Sequence, residues 1–190
     1  MSSTCRGTER NANDYYVTPH WLITEFLPVF VPAYNIDLTK PTFDPSAGGC
    51  GQYEMSYPKV LKDFGFTDIT TADIREDSRA ANPSSDYFKS VNLGYDLIIT
   101  NPPFDRSVEF AKKALREVNY GGFVVMLQRL NWLGTAKRKP FWDTAPLKHI
   151  YVHHKRPGFN PEFPNKTDSI EYAHFVFQKG FSGLTYTEII

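Results

Sequence analysis

Three short stretches carry residues that folding alone does not call for. "ITNPPF", Ile99 to Phe104, ends an aliphatic run in an asparagine, two prolines and a phenylalanine. Each proline fixes φ and removes a backbone donor, and the residue before a proline is pushed to an extended conformation. Asn101 and Pro102 are thus held stiffly where a strand ends, with a side-chain oxygen and a main-chain carbonyl beside an aromatic ring. "DPSAGGCG", Asp44 to Gly51, sets Gly48, Gly49 and Gly51 after another strand, where glycines let a backbone approach a ligand closely. Its spacing matches neither the dinucleotide fingerprint nor the phosphate loop. Taken alone it is equally a plain strand-to-helix turn. "TTADI" ends the next strand in Asp73, roughly 25 residues on, near where nucleotide-binding folds place a ribose-binding carboxylate. An aspartate there also suits a cap or turn.

The surrounding sequence supplies elements to hold these stretches. Thr18 reads as an N-cap and Pro19 as a first helical residue, with Trp21, Leu22, Phe26 and Leu27 on one face and Pro28 as the limit. "TFD" reads as a short strand, "YEMSYPKVLKDFG" as a weaker helix interrupted by Pro58, and "FTDITTADI" as a second strand. "REDSRAANPSSDYFKS" reads as loop. "YDLIIT" is a buried strand, and "DRSVEFAKKALREV" a helix ended by "NYGG". "GGFVVMLQ", "LKHIYVHH" and "SIEYAHFVFQKG" read as further strands. Strands alternating with helices imply a parallel sheet covered on both faces, and consecutive strands near the end imply an antiparallel addition. The motifs therefore converge on one edge of that sheet, where open α/β folds bind ligands.

Composition bounds the reading. The chain has 190 residues, 41% hydrophobic and 15% aromatic, enough for one well-buried domain. Twenty-one basic residues balance 21 acidic ones, which argues against coating nucleic acid by bulk charge but leaves room for a local basic face. Cys5 and Cys50 show no pairing or metal-ligand spacing. With no apolar run near membrane length and a polar start, "MSSTCRGTERNAND", the expectation is a cytoplasmic protein with a flexible tail over 1–13.

"DPSAGGCG" and "ITNPPF" together resemble the two signature motifs of S-adenosylmethionine-dependent amino-methyltransferases, in particular the adenine-N6 DNA methyltransferases. "DYYVTP", Asp14 to Pro19, resembles the family's N-terminal motif, which closes over the cofactor. "SDYF", Ser85 to Phe88, resembles the segment that meets the cofactor's adenine. "RPGF", Arg156 to Phe159, followed by "TDSIEYAHFVF", resembles the base pocket and last strand of small phage-type members. The motif order resembles the gamma arrangement, and the likeness runs from about Asp14 to Gln178.

The resemblance implies a Rossmann-like class I methyltransferase fold, an α/β architecture. Its mostly parallel seven-stranded sheet would carry an antiparallel C-terminal strand and helices on both faces. It implies that S-adenosyl-L-methionine, leaving as S-adenosyl-L-homocysteine, meets Tyr16, Thr18 and Pro19; Asp44, Pro45, Ser46, Ala47, Gly48 and Gly51; Asp73 and Ile74; Asp86, Tyr87 and Phe88; and Asn101. It implies catalysis by Asn101, Pro102, Pro103 and Phe104, with no metal. Larger members carry a separate target-recognition domain. Here 14–190 is expected to be a single catalytic domain, with recognition by loops or by a partner chain. The expected substrate is adenine in DNA, with RNA adenine as the alternative; a protein-glutamine methyltransferase or an inactive cofactor-binding subunit is further off. If the chain is phage-encoded, the host cytoplasm is its expected place.

On the substrate side, a base must leave the duplex or already be single-stranded to enter such a pocket. Phe159 is the candidate second aromatic face, and equally a core aromatic. From Gln128 to Arg156 seven basic residues face one acid. Arg129, Lys137, Arg138, Lys139 and Arg156 are the candidate nucleic-acid contacts, and "GTAKRKPFW" mixes cations with aromatics as single-strand grooves do. A solvated loop is the plainer alternative. His149, His153 and His154 do not share a face and do not suggest a metal site.

Overall fold

The structure, a computed structural model, describes residues 16–190 apart from 92, 164 and 168. The expected tail, Cys5, Asp14 and Tyr15 lie outside the described residues. The strands are β1 (Thr42–Asp44), β2 (Ile69–Thr71), β3 (Tyr95–Thr100), β4 (Val118–Arg129), β5 (Leu147–Val152), β6 (Tyr172–Gln178) and β7 (Tyr186–Ile189). They form one seven-stranded sheet in the order β2-β1-β3-β4-β6-β5-β7. Every neighbouring pair is parallel except those made by β6, which runs antiparallel to both β4 and β5.

The two-residue period of the strands divides the core. Leu97 and Ile99 of β3 face one side, with Val125 and Leu127 of β4, under α1 (His20–Tyr34) and α2 (Ser56–Phe64). Ile98, Val124 and Met126 face the other side, against Phe110, Ala111 and Ala114 of α3 (Ser107–Glu117). Helices on both faces explain why the central strands read as continuous apolar runs.

Local rules misplace several boundaries. Thr18 is not the N-cap of α1: Pro19 holds that position, and no side chain caps the helix. Pro28 does not end it either, because α1 continues through Pro28 and Pro32 to Tyr34. An interior proline costs about 3 kcal/mol. Leu22, Ile23, Phe26, Leu27 and Phe30 are all fully buried, and each contributes about 1.5–3 kcal/mol, which outweighs both prolines. Pro58 does not interrupt α2. It lies in the first turn, where its missing N–H has no intrahelical partner to lose.

"NYGG" does not separate α3 from its strand. β4 begins at Val118, directly after Glu117, and Val118 pairs Tyr95 across an irregular register. The sheet also does not stop at β6. β7 adds to β5, and all four of its residues are exposed, so it has no buried face to mark it in sequence. A short four-residue helix, α4 (Lys139–Trp142), sits inside the expected basic loop. Among the described residues no helix is long and apolar enough to cross a membrane.

Candidate active site

The chain leaves β1 outward to β2, then returns to place β3 on the other side of β1. At such a switch point the loops beyond two adjacent strands part, leaving a crevice at the carboxyl ends. A cleft open to solvent lies there. The glycine turn after β1, Asp73 after β2, and Asn101 to Phe104 after β3 all line it, together with Tyr16 and Thr18 from the segment before α1. Sequence-distant stretches thus meet because parallel strands deliver their C-terminal ends to one edge.

The glycine turn requires glycine. Gly48 and Gly49 have φ of 67° and 73°, a region costly for residues with a Cβ. A Cβ on Gly49 would also lie 2.8 Å from the Met55 side chain. The turn is fastened to the end of β2: the Gly48 amide donates to Asp73 Oδ2 at 2.8 Å, and the Arg75 amide donates to Asp73 Oδ1 at 2.8 Å. Asp73 is buried, and each of its oxygens keeps a further lone pair. Asp44, at the end of β1, is buried too, and its Oδ1 accepts the Ser46 amide at 3.1 Å. Burial pushes its carboxyl up to about 7, against the opposing pull of the Thr100 hydroxyl and Ser46 amide, with the Asp73 charge adding to the rise.

Asn101 is held by Thr18: its Nδ2 donates to the Thr18 hydroxyl at 2.9 Å. Its other atom, Oδ1, is buried with no hydrogen-bond partner. An orphaned buried acceptor costs about 1–3 kcal/mol, and here it belongs to a residue of the cleft wall. Beyond it Phe104 starts a short 3-10 turn and joins an aromatic cluster. The Arg129 guanidinium lies 4.9 Å from the centre of the Phe104 ring and donates to the Tyr172 hydroxyl at 3.3 Å. Tyr172 lies 6.0 Å from Phe104 and 4.9 Å from Phe159, and Phe159 lies 6.3 Å from Tyr16. The fold therefore brings Phe159 and Arg129 into the cluster that backs Phe104, though neither is part of the cleft lining.

Other expected residues stand elsewhere. Ile74 lines the cleft and is half exposed, whereas Pro19, Asp44, Pro45, Ala47 and Gly51 are outside its lining. Tyr87 is buried against Phe43 and Phe110, away from the cleft, and Phe88 packs on Phe110 under the Arg106 guanidinium at 3.8 Å. Asp86 caps its own loop, accepting the Phe88 amide at 3.0 Å. Arg156 pairs with Glu171 at 2.6 Å, Lys139 with Asp143 at 2.5 Å, and Arg138 donates to the Gly134 carbonyl at 3.0 Å. Lys137 is exposed. Val17 and Gly49, inside the two expected stretches, line the cleft as well; missed were Glu54, Ser56, Tyr57 and Arg75, all in the cleft wall. The start of a helix after a glycine turn signals Ser56 and Tyr57; nothing local signals Arg75.

No protein-family model matches the chain, and no curated protein matches it in sequence. Solved structures do match in shape. A Listeria monocytogenes protein assigned to the class I S-adenosylmethionine-dependent methyltransferases superposes with a TM-score of 0.62 at 11% identity, covering 92% of this chain and 65% of that one. A Vibrio vulnificus protein assigned as the modification subunit of a type I restriction enzyme gives 0.59 at 16% identity, covering 90% of this chain and 46% of that one. A Lactococcus lactis protein assigned as a hemolysin gives 0.62 at 10% identity, covering 92% and 94%. The chain thus spans under two thirds of the first two. With its single antiparallel strand and flanking helices, it has the Rossmann-like fold of class I methyltransferases.

Proposed function

We propose that this chain transfers a methyl group from S-adenosylmethionine to the exocyclic N6 amine of adenine in DNA. The observation that carries the reading is the unpaired Asn101 Oδ1, set at the end of β3 next to Pro102. The adenine amine is a poor nucleophile because its lone pair is delocalised into the ring. Two acceptors, Asn101 Oδ1 and the Pro102 carbonyl, would take hydrogen bonds from both N–H groups and favour a pyramidal, nucleophilic nitrogen. Thr18 on one side and Pro103 on the other hold these acceptors in place before substrate arrives, so orienting them costs little at the transition state. Phe104 offers a face for the base, and Phe159 packs behind it through Tyr172, outside the cleft lining.

The cradle suits the cofactor. Two consecutive glycines with positive φ leave room that a Cβ would take, and Asp73 has lone pairs left for a ribose diol. Bound there, S-adenosylmethionine would supply an electrophilic methyl on a positive sulfonium. Thr18, Ser46, Gly48, Asp73 and Ile74 would hold it. The segment 86–88 would then act from behind, by packing the wall rather than touching the ligand.

The target base would have to flip out or come single-stranded. The Vibrio neighbour's name, a modification subunit, supports DNA as the substrate class and a partner chain for sequence recognition. The test is transfer of a labelled methyl group to DNA, RNA and protein side by side. Label on N6 of adenine in DNA is the expected result. Label on RNA alone would change the substrate, and label on none of the three would overturn the reading.

A further inference from the structure

Behind the cleft wall lies a file of titratable side chains that the methyl-transfer chemistry does not use. Tyr57, in the first turn of α2, lines the cleft. Its hydroxyl lies 2.8 Å from His174 Nε2 on β6, and His174 Nδ1 lies 2.9 Å from Nε2 of His153, just beyond β5. His153 Nδ1 lies 3.9 Å from Glu25 Oε2 on α1, beyond hydrogen-bond distance, and among the described residues neither atom has another hydrogen-bond partner. Glu25 is a third exposed, and its other oxygen lies 3.7 Å from Lys155 Nζ. Tyr57, His153 and His174 are all buried, with Phe26 stacked on His174 at 4.1 Å and Trp21 edge-on to His153 at 5.6 Å. Four titratable groups from separate parts of the chain therefore run from the cleft wall through an aromatic core to the surface. Apolar side chains of similar size would fill that core with no polar group left to satisfy.

The file has a direction. Burial keeps both imidazoles neutral, lowering His153 to about 4 and His174 well below the usual histidine value. A neutral imidazole has one donor and one acceptor nitrogen. Among the described residues the only polar group facing His153 Nδ1 is the Glu25 carboxylate at 3.9 Å, which favours the proton on that nitrogen and leaves Nε2 as the acceptor. His174 then donates from Nδ1 and accepts at Nε2, and Tyr57 donates its hydroxyl proton. The Tyr57 oxygen is left as an acceptor. The other charged or titratable groups facing the file are Asp44 near Tyr57, His154 near His153, and Lys155 near Glu25.

We propose that Tyr57, His174, His153 and Glu25 form a relay that carries the proton released by methyl transfer out of the cleft. The inference rests on the methyl-transfer reading above. Methylation of a neutral amine by a sulfonium leaves one surplus proton, and neither an amide oxygen nor a peptide carbonyl is basic enough to keep it. A proton passes to the Tyr57 oxygen, and the hydroxyl proton moves to His174 Nε2. The proton on His174 Nδ1 moves to His153 Nε2, and the proton on His153 Nδ1 moves to the Glu25 carboxylate once the Glu25 side chain closes the 3.9 Å gap to hydrogen-bond distance. Each intermediate group gains one proton and loses one, no electrons are exchanged, and Glu25 then gives its proton to solvent.

Two measurements test it. In protein labelled with ¹⁵N-histidine, long-range ¹H–¹⁵N correlation should show His153 and His174 both neutral and protonated on Nδ1; protonation of either on Nε2 overturns the relay, whatever the protein's activity. In rapid mixing, methyl transfer is followed by quench and proton release by a pH indicator. Wild type should release its proton in step with transfer. Glu25→Gln keeps the shape but has no carboxylate to receive the proton, and Tyr57→Phe removes the entry oxygen. In both, proton release should lag transfer by about tenfold, short of the hundredfold of direct acid–base catalysis because water substitutes slowly. Release in step with transfer in both variants overturns the relay. Absence of methyl transfer in wild type would overturn the methyl-transfer reading and with it the proton the relay is given to carry, whereas the histidine tautomers test the direction of the file independently of activity.

Discussion

Two regions of the molecule, the cleft loops and the basic segment, are built on different terms. The loops after β1, β2 and β3 are locked together, by Asp73 on the Gly48 and Arg75 amides and by Thr18 on Asn101, yet they leave Asn101 Oδ1 with no partner. The segment from Arg129 to Glu171 does the reverse. Four of its cations are engaged within the chain: Lys139 by Asp143, Arg156 by Glu171, Arg138 by backbone carbonyls, and Arg129 by Phe104 and Tyr172. One side is rigid with a vacant acceptor, as a preorganised site must be. The other is self-satisfied and must exchange partners before it can hold phosphate. Substitutions on the first side should therefore act on chemistry and on cofactor, and those on the second on the strength and salt dependence of binding.

The largest effect should come from Asn101→Ala. Single-turnover methyl transfer at saturating cofactor and substrate should fall by roughly a hundredfold or more, the scale seen when one preorganised donor or acceptor is removed. Asn101→Asp should be milder, because an oxygen acceptor remains and Thr18 can donate to it instead of accepting. Pro102→Ala should be milder still, since the carbonyl stays and only its rigidity is relaxed. Full activity in Asn101→Ala would reduce the end of β3 to a turn and erase the contrast between the two sides.

Asp73→Ala should weaken cofactor binding by about 1.5–3 kcal/mol, the worth of a charge-assisted acceptor, with further loss from the freed Gly48 and Arg75 amides. Calorimetry giving unchanged affinity would place the ribose elsewhere.

Asp44 sharpens the comparison through stability. Its carboxyl titrates near 7 in the fold against 3.8 when free, so the folded state binds the extra proton between those values. Its contribution to stability is present at low pH and is lost as pH rises from about 4 to 7. The lowered His153 and His174 act the other way: their contribution is present above 6.5 and is lost as pH falls below it, for His153 down to about 4. Thermal unfolding from pH 5 to 8 should show Asp44→Asn gaining stability over wild type as pH rises. A constant difference across that range would mean Asp44 is not held in its buried, uncharged form.

The smallest effect is expected from reversing Lys137, Arg138 and Lys139 to glutamate. Nucleic-acid binding should weaken, and the slope of log affinity against log salt should flatten by about 0.9 for each phosphate no longer neutralised. Because Arg138 and Lys139 already have partners in the chain, the change in slope should fall short of that for three phosphates. An unchanged slope would leave this segment as a solvated surface.

Much of the first side was legible in the sequence, because its residues obey local rules. Consecutive prolines stiffen whatever carbonyl precedes them, consecutive glycines mark a backbone with positive φ, and an aspartate at a strand end is a short acceptor on a fixed stem. Alternation of strands and helices then put these turns on one edge. The limits of α1 were not legible, because burial of Leu22 to Phe30 overrides the local cost of Pro28 and Pro32. β7 was not legible either, since backbone pairing to β5 holds a strand whose side chains are all exposed.

The sequence by itself determined which groups the proposed chemistry would use: an asparagine before two prolines, a glycine turn, an aspartate one strand on. Those properties reside in single residues and their immediate neighbours. Only the tertiary structure decided which groups stand alone and which are already engaged. Whether Asn101 Oδ1 is vacant depends on Thr18, 83 positions away. Whether Tyr57 meets His174 depends on a residue 117 positions away. Such pairings are set by the order in which strands join the sheet, and a hydrogen-bond partner is a fact about space, not about sequence neighbours.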